Sequence, residues 1–276
     1  MRASLRILTL IYFLFIFLLS LSGMSSGVIG IILYLSAFVL PLLSVFLVKR
    51  YTGVNISSPS FKINRSSVKL MLPLLIPILL LAFALACVTS YVFSLIGYSE
   101  PIEDVSGNIA LVILRYAFFP AILEELLFRF LPIALLAKIS KKNAIIYSAL
   151  FFAFAHVSIT KLPYALIAGI IFAAIDIAFN SIMPSLLLHF FNNLISVMWM
   201  RYYSVQGFVP FFLLVFVFLS LISIVYIVIS RKKYSDYTLV FRDDSDSKIA
   251  LFPEPVIFFL TTFAVAIITL FGGTYA

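Results

Sequence analysis

Residues 119–130 read FPAILEELLFRF and place three charged side chains inside a stretch that is otherwise apolar. Two of them are adjacent carboxylates, Glu124 and Glu125, and the third is the guanidinium of Arg129. A charged side chain at the centre of a bilayer costs between about 2.5 and more than 10 kcal/mol, depending on the reference state. These charges therefore need partners, water or a chemical role within the rest of the chain.

The composition around this stretch is that of a polytopic membrane protein. Of 276 residues, 64% are hydrophobic and 11% are charged, against roughly 25% charged residues in soluble domains. No polar block is long enough to fold alone, so we predict a single integral membrane domain over residues 1–276. Cys87 is the only cysteine, which excludes an intrachain disulfide and a thiolate metal cluster.

Apolar runs of about 20 residues are long enough to cross a hydrocarbon core of about 30 Å. We predict an all-α membrane bundle of about eight or nine transmembrane helices that enclose a polar cavity. Pro73, Pro77 and Pro120 predict kinks or breaks in the third and fourth spans. The predicted spans are residues 5–21, 27–48, 70–97, 108–137, 143–157, 162–179, 182–202, 208–230 and 252–271.

The basic residues between the spans are distributed asymmetrically. Most lie in the N-terminal tail and in the connections 49–69, 138–142 and 231–248, the last of which we interpret as a solvated loop. Nine spans place these segments on one side and only Lys161 and Arg201 on the other, so the positive-inside rule predicts a cytosolic N-terminus. Topology and attraction to anionic lipids then explain the net charge of +8, and no nucleic-acid partner is required.

Both histidines of the chain, His156 and His189, fall within predicted spans. At about 1.5 Å per residue, Glu124 lies about 21 Å, His156 about 20 Å and His189 about 10 Å from the cytosolic end of its own span. The three side chains can therefore share a layer near the midplane. Because buried polar groups at that depth are tolerated around protein or water, we predict a polar chamber.

Helical spacing separates the roles of these side chains. Glu125 and Arg129 are four residues apart with the acid first, which favours a structural ion pair. Glu124 is rotated about 100° from Glu125 on the helix, so we interpret it as the carboxylate available for chemistry. His189 and Asn193 share a helix face by the same spacing.

A Glu, two His and an Asn in a water-accessible apolar cavity are suited to adding water to a carbonyl group. Glu124 could deprotonate a water molecule held by His156, while His189 and Asn193 stabilise the tetrahedral oxyanion. Alternatively, Glu124, His156 and His189 could be three ligands of a catalytic zinc ion. No HExxH pair is present, so we expect no metal and no other cofactor.

Three short motifs in this region resemble those of one membrane protease family. Residues 124–129 (EELLFR) resemble EExxxR, residues 152–156 (FAFAH) resemble FxxxH, and residues 189–193 (HFFNN) resemble HxxxN. These are motifs of the CAAX prenyl protease 2 (Ras-converting enzyme type) and ABI/CPBP intramembrane protease superfamily. The resemblance covers about residues 119–199, within a motif-bearing core of about 108–203.

The resemblance implies a glutamate-dependent membrane endopeptidase with a cytosol-accessible cavity. Glu124 would act as the base, His156 would orient the water, and His189 with Asn193 would form the oxyanion hole. Glu125 and Arg129 would be structural. Independently of the resemblance, Phe152 precedes His156 by four residues, so we expect it to pack over the ring of His156. The implied substrate is a prenylated, CAAX-like or other apolar membrane-associated peptide, in the plasma membrane of a prokaryote or the endoplasmic reticulum of a eukaryote.

Two other classes of protein use similar buried polar residues. One is a non-catalytic immunity or scaffold protein that keeps the chamber as packing. The other is a proton-coupled transporter with Glu124, His156 and Asp176 as a relay, although no internal repeat supports it. We interpret Asp176 and Asn180 as structural, and Arg115 as paired or snorkelling. The sequence does not predict an oligomeric state.

Overall fold

The computed structural model describes residues 2–24, 27–52, 60–62, 65–98, 105–239, 249 and 252–272. Within these ranges the chain is helical, and the only β-type pairing is an isolated bridge between Ser60 and Ser181. The predicted all-α class is confirmed. The helical elements are α1 (Arg2–Met24), α2 (Gly27–Thr52), α3 (Arg65–Ser94), α4 (Ile109–Ile113), a first π turn (Leu114–Phe118), α5 (Phe119–Glu125), a second π turn (Leu126–Phe130), α6 (Leu131–Leu136), α7 (Lys141–Ala155), α8 (Leu162–Phe179), α9 (Met183–Tyr202), α10 (Phe208–Ile229), α11 (Arg231–Leu239) and α12 (Pro253–Gly272).

Each predicted span coincides with a helix or, for the fourth, with the continuous series α4 to α6. Four helices in the described part of the chain are long and apolar enough to cross a membrane, with the candidate segments Arg2–Ser22, Ser67–Ser94, Leu162–Phe179 and Phe208–Ile229. Shorter apolar segments are Gly27–Val39 and Pro253–Ile268. The chain is thus an apolar helical membrane protein, and the total of eight or nine spans stays a prediction.

Two boundaries differ from the sequence prediction. Helix α7, which corresponds to the fifth predicted span, ends at Ala155. His156 is therefore the C-cap of this helix and does not lie inside it. The connection 231–248 begins as the helix α11, because its first residues contain neither Gly nor Pro; residues 240–248 lie outside the described ranges. Parts of the basic connection 49–69 also lie outside them.

The prolines coincide with breaks in the α-helix in the fourth span but not in the third. Helix α3 runs through Pro73 and Pro77 without interruption, whereas Pro120 and Pro132 each stand second in the α-helical segment that follows a π turn. Proline has no N–H, so Pro132 cannot bond to a carbonyl group in the preceding turn. Two carbonyl oxygens of that turn, those of Leu127 and Phe128, accept hydrogen bonds from side chains.

The second π turn is therefore tied to its neighbours through those carbonyls. Tyr12 of α1 donates its hydroxyl hydrogen to the oxygen of Leu127 at 2.7 Å. Ser148 of α7 and the guanidinium of Arg129 both donate to the oxygen of Phe128. Single π turns inside α-helices are frequent at functional sites, and this one carries Arg129.

An aromatic cluster joins α1, the second π turn, α7 and α12 beside this turn. The ring of Tyr12 stacks on Phe128 at 5.1 Å and lies 4.3 Å from Phe151 between ring centroids. Phe258 of α12 packs against both Tyr12 and Phe151. These rings are fully or almost fully buried, so they form a stable wall behind the polar residues of the fourth span.

Contacts between helix ends agree with the predicted alternation of the spans. Arg2 and Arg6 at the start of α1 pair with Glu254 at the start of α12. Tyr234 of α11 donates to the carbonyl oxygen of Leu70, near the start of α3. In the nine-span topology all these ends lie on the same side. The side that faces the cytosol stays a prediction.

Candidate active site

Glu124 and Glu125 end α5 and differ sharply in burial. The Glu125 side chain is fully buried, whereas 22% of the Glu124 side chain is exposed. Glu125 Oε2 lies 3.6 Å from Nε of Arg129, which is also fully buried. The predicted i,i+4 ion pair is therefore present, although these two atoms are too far apart for a hydrogen bond.

His189 of α9 lies between the two carboxylates. Its Nδ1 is 2.7 Å from Oε1 of Glu125, and its Nε2 is 3.7 Å from Oε2 of Glu124. Since a carboxylate accepts, Nδ1–H of His189 donates to Glu125. That bond fixes the plane of the ring and directs Nε2 towards Glu124.

His156 follows the last residue of α7, and its ring is held by its own helix. Its Nδ1 donates to the carbonyl oxygen of Phe152 at 2.8 Å, which leaves Nε2 as the free ring nitrogen in the neutral tautomer. His156 interacts electrostatically with both Glu124 and His189. The next residue, Val157, has φ of +47°, a strained conformation for a β-branched side chain.

Phe152 is the apolar centre of the site. Its ring meets the ring of His156 edge-on at 4.8 Å and that of His189 at 5.6 Å between centroids. The guanidinium carbon of Arg129 lies 4.3 Å from the centroid of the same ring, a distance typical of a cation–π contact. The predicted packing of Phe152 on His156 is thus observed, and Phe152 also contacts two further polar residues of the cluster.

The structure brings several of the predicted site residues together, from α5, the end of α7 and α9. Glu124, Glu125 and His189 are in direct or near contact, and Phe152 links His156 to them. Asn193 lies one turn after His189 on α9 and is half-buried. Its place on the same helix face follows from the spacing, while its role in binding an oxyanion stays a prediction.

Sequence reasoning missed the hydrogen bond between Glu125 and His189. The i,i+4 rule assigned Glu125 to Arg129 alone, but a carboxylate has two oxygens and this one faces both partners. The sequence singled out Asp176 of α8 as a buried acid and favoured a structural role, but it did not give the partner, which is the amide of Ser185 on α9.

Zinc bound by Glu124, His156 and His189 stays the alternative to the metal-free prediction. Nδ1 of each imidazole is engaged with an oxygen atom, so Nε2 is the nitrogen that a metal ion would use. In the described part of the chain, no three His, Cys, Asp or Glu side chains are grouped so that they could hold a metal ion. We therefore derive no step of the chemistry through a metal.

Comparison with known families identifies the segment that contains these residues. Residues 106–195 match the family model Rce1-like, described as "Type II CAAX prenyl endopeptidase Rce1-like". The match contains all three motifs at residues 124–129, 152–156 and 189–193, and it confirms the resemblance drawn from them. No curated protein and no solved structure matches the chain.

Proposed function

We propose that this protein, in which residues 106–195 match the family model of type II CAAX prenyl endopeptidases, is an intramembrane endopeptidase in which Glu124 activates water. Its substrate is a prenylated, CAAX-like or other membrane-associated peptide cut near its C-terminus. The observation that carries the proposal is the contrast between the two acids. Glu124 is partly exposed 3.7 Å from His189, whereas Glu125 is fully buried and already paired.

In the proposed reaction, Glu124 takes a proton from a water molecule that the free Nε2 of His156 helps to position. The resulting hydroxide adds to the scissile carbonyl carbon, and the carbonyl oxygen becomes an oxyanion. The proton on Glu124 then passes to the amide nitrogen as the carbon–nitrogen bond breaks. The products are a new carboxyl terminus and a free amine.

His189 and Asn193 stabilise the oxyanion in this scheme. The amide group of Asn193 donates one hydrogen bond and Nε2–H of His189 donates the other. Because Nδ1–H of His189 already donates to Glu125, His189 must carry protons on both ring nitrogens to serve both acceptors. Glu125 and Arg129 support this ring and contact no substrate.

The membrane setting supports an apolar substrate. Many side chains on the outer faces of the helices are large and exposed, such as Leu214 at 70% and Ile229 at 77%, as expected of surfaces that face lipid. We place the N-terminus in the cytosol, in a plasma membrane or endoplasmic reticulum membrane. A lipidated peptide would then reach Glu124 from the bilayer and the cytosolic side.

The test is hydrolysis by the purified protein in lipid nanodiscs, given a farnesylated C-terminal peptide in water enriched in oxygen-18. We expect a shortened peptide whose new terminal carboxyl group carries one oxygen-18 atom, and unchanged rates after treatment with a zinc chelator. The unprenylated peptide is the matched control for the substrate class. No cleavage of either peptide by folded protein would overturn the proposal, and loss of activity with the chelator would overturn its metal-free form.

A further inference from the structure

The start of α9 has an unusual supply of hydrogen-bond acceptors. The first amides of a helix have no partner inside the helix, and the N-cap residue, Ile182, has no polar side chain to offer. The Ile182 amide instead donates to the carbonyl oxygen of Ser60 at 3.0 Å, and the Met183 amide donates to Oγ of Ser181 at 3.2 Å. Pro184 has no amide hydrogen, so the Ser185 amide is the remaining donor.

Asp176 of α8 supplies the acceptor for that last donor. Its Oδ1 accepts from the Ser185 amide at 3.0 Å, and its side chain is fully buried. Ser185 is the third residue of α9, the position at which a capping side chain normally binds. The cap thus comes from a neighbouring helix, nine residues earlier in the chain, and a carboxylate there also suits the positive end of the helix dipole.

This cap lies one helical turn from the catalytic histidine. Ser185, His189 and Asn193 are spaced by four residues, so they lie along one face of α9. A shift or tilt of the first turn of α9 would move His189 relative to Glu124 and Glu125, which are held by a different helix. The bond between His189 and Glu125 is 2.7 Å long, so a movement of more than about 0.5 Å would carry it beyond the usual range of N–H···O distances.

We propose that Asp176 is a positioning residue that caps α9 from α8 and thereby sets the place of His189 between Glu124 and Glu125. The backbone bond from the Ile182 amide to the Ser60 carbonyl oxygen also holds this turn. Asp176 touches no reacting atom in this account. Its effect on cleavage rests on the proposed function, but its effect on the geometry of His189 does not.

The geometric test uses the fact that the chain has only two histidines. In a His156→Gln background, protein labelled with nitrogen-15 at the imidazole carries one histidine, and the downfield proton signal of Nδ1–H reports the bond from His189 to Glu125. We expect Asp176→Asn to keep this signal, because an amide oxygen caps as well as a carboxylate does. Asp176→Ala should lose or broaden it.

Two further variants separate capping from other effects. Asp176→Glu keeps the charge but moves the acceptor by one methylene group, so the His189 signal should weaken. If Asp176→Ala does not fold, this variant tests whether Asp176 positions His189. Asn108→Ala removes the cap of α4, where Oδ1 of Asn108 accepts from the Ala110 amide at 2.9 Å, and should leave the His189 signal unchanged. A normal signal in Asp176→Ala, or a weaker signal in Asp176→Asn than in Asp176→Glu, would overturn the proposal.

Cleavage provides the second readout if the wild-type protein hydrolyses peptide. We expect kcat of Asp176→Ala to fall roughly tenfold with little change in KM, because a misplaced oxyanion donor harms the transition state more than substrate binding. Asp176→Asn should restore most of that loss. A wild-type protein without activity would contradict the proposed function, while the nuclear magnetic resonance result would still decide the role of Asp176.

Discussion

The two sides of His189 differ in how tightly their polar groups are held. On the Nδ1 side, Glu125 and Arg129 are both fully buried, and Glu125 accepts a 2.7 Å hydrogen bond from the imidazole. On the Nε2 side, Glu124 is partly exposed and 3.7 Å away, and His156 is only half-buried. One side of the ring is therefore fixed, and the other is accessible.

This difference explains why two adjacent glutamates can have unlike roles. A group whose partners are all protein atoms orients its neighbours and has little freedom to exchange a proton with a substrate. A group with a near but unbonded neighbour and some exposure can accept water and substrate. The comparison predicts that changes on the fixed side reduce stability and that changes on the open side reduce activity.

The largest effect on stability is expected for Glu125→Ala. It leaves Arg129 as a buried cation without its carboxylate, and breaking a buried pair in this way costs about 3–5 kcal/mol. The measurement is the free energy of unfolding in mixed micelles. Glu124→Ala is the matched control and should cost less than about 1 kcal/mol, since Glu124 itself is partly exposed and lies 3.7 Å from His189 without a hydrogen bond. Equal losses in the two variants would remove the distinction between the two sides.

An intermediate effect is expected for Phe152→Leu, with the adjacent Phe151→Leu as its matched control. Phe152 contacts Arg129, His156 and His189, so its loss should lower kcat about tenfold by removing ring contacts and a cation–π interaction of about 1–2 kcal/mol. Phe151 packs in the aromatic cluster behind the site, and its variant should lose stability while kcat stays within about twofold. A reversed order of the two kcat values would contradict the assigned packing.

The smallest effect is expected for Tyr12→Phe. It removes the hydrogen bond to the Leu127 carbonyl in the turn that carries Arg129, at a cost of about 1 kcal/mol in the free energy of unfolding. Because that turn supports the fixed side of His189, we also expect a few-fold fall in kcat. Unchanged stability would show that the Leu127 carbonyl finds another donor and that the π turn does not depend on α1.

The general fold was predictable from the sequence because apolar runs of membrane length are long and unambiguous. Spacing by four residues also predicted the ion pair of Glu125 with Arg129 and the packing of Phe152 on His156. These contacts join residues one helical turn apart, where the helical period decides which side chains meet.

Contacts between helices were not predictable in the same way. The bond from Glu125 to His189 and the cap from Asp176 to Ser185 depend on how α5, α8 and α9 are rotated against one another. The place of His156 after the end of α7 was missed because its apolar neighbours continue through the helix end. The π turns were also missed, although Pro120 predicted a kink or break in the fourth span.

The most direct test of the account is the cleavage rate of Glu124→Gln in lipid nanodiscs, measured together with its midpoint of unfolding. Glutamine keeps the size of the side chain but cannot take a proton from water, so we expect the rate to fall by about 10²–10⁴-fold while the midpoint is unchanged. A rate close to that of the wild-type protein would contradict the assignment of Glu124 as the base.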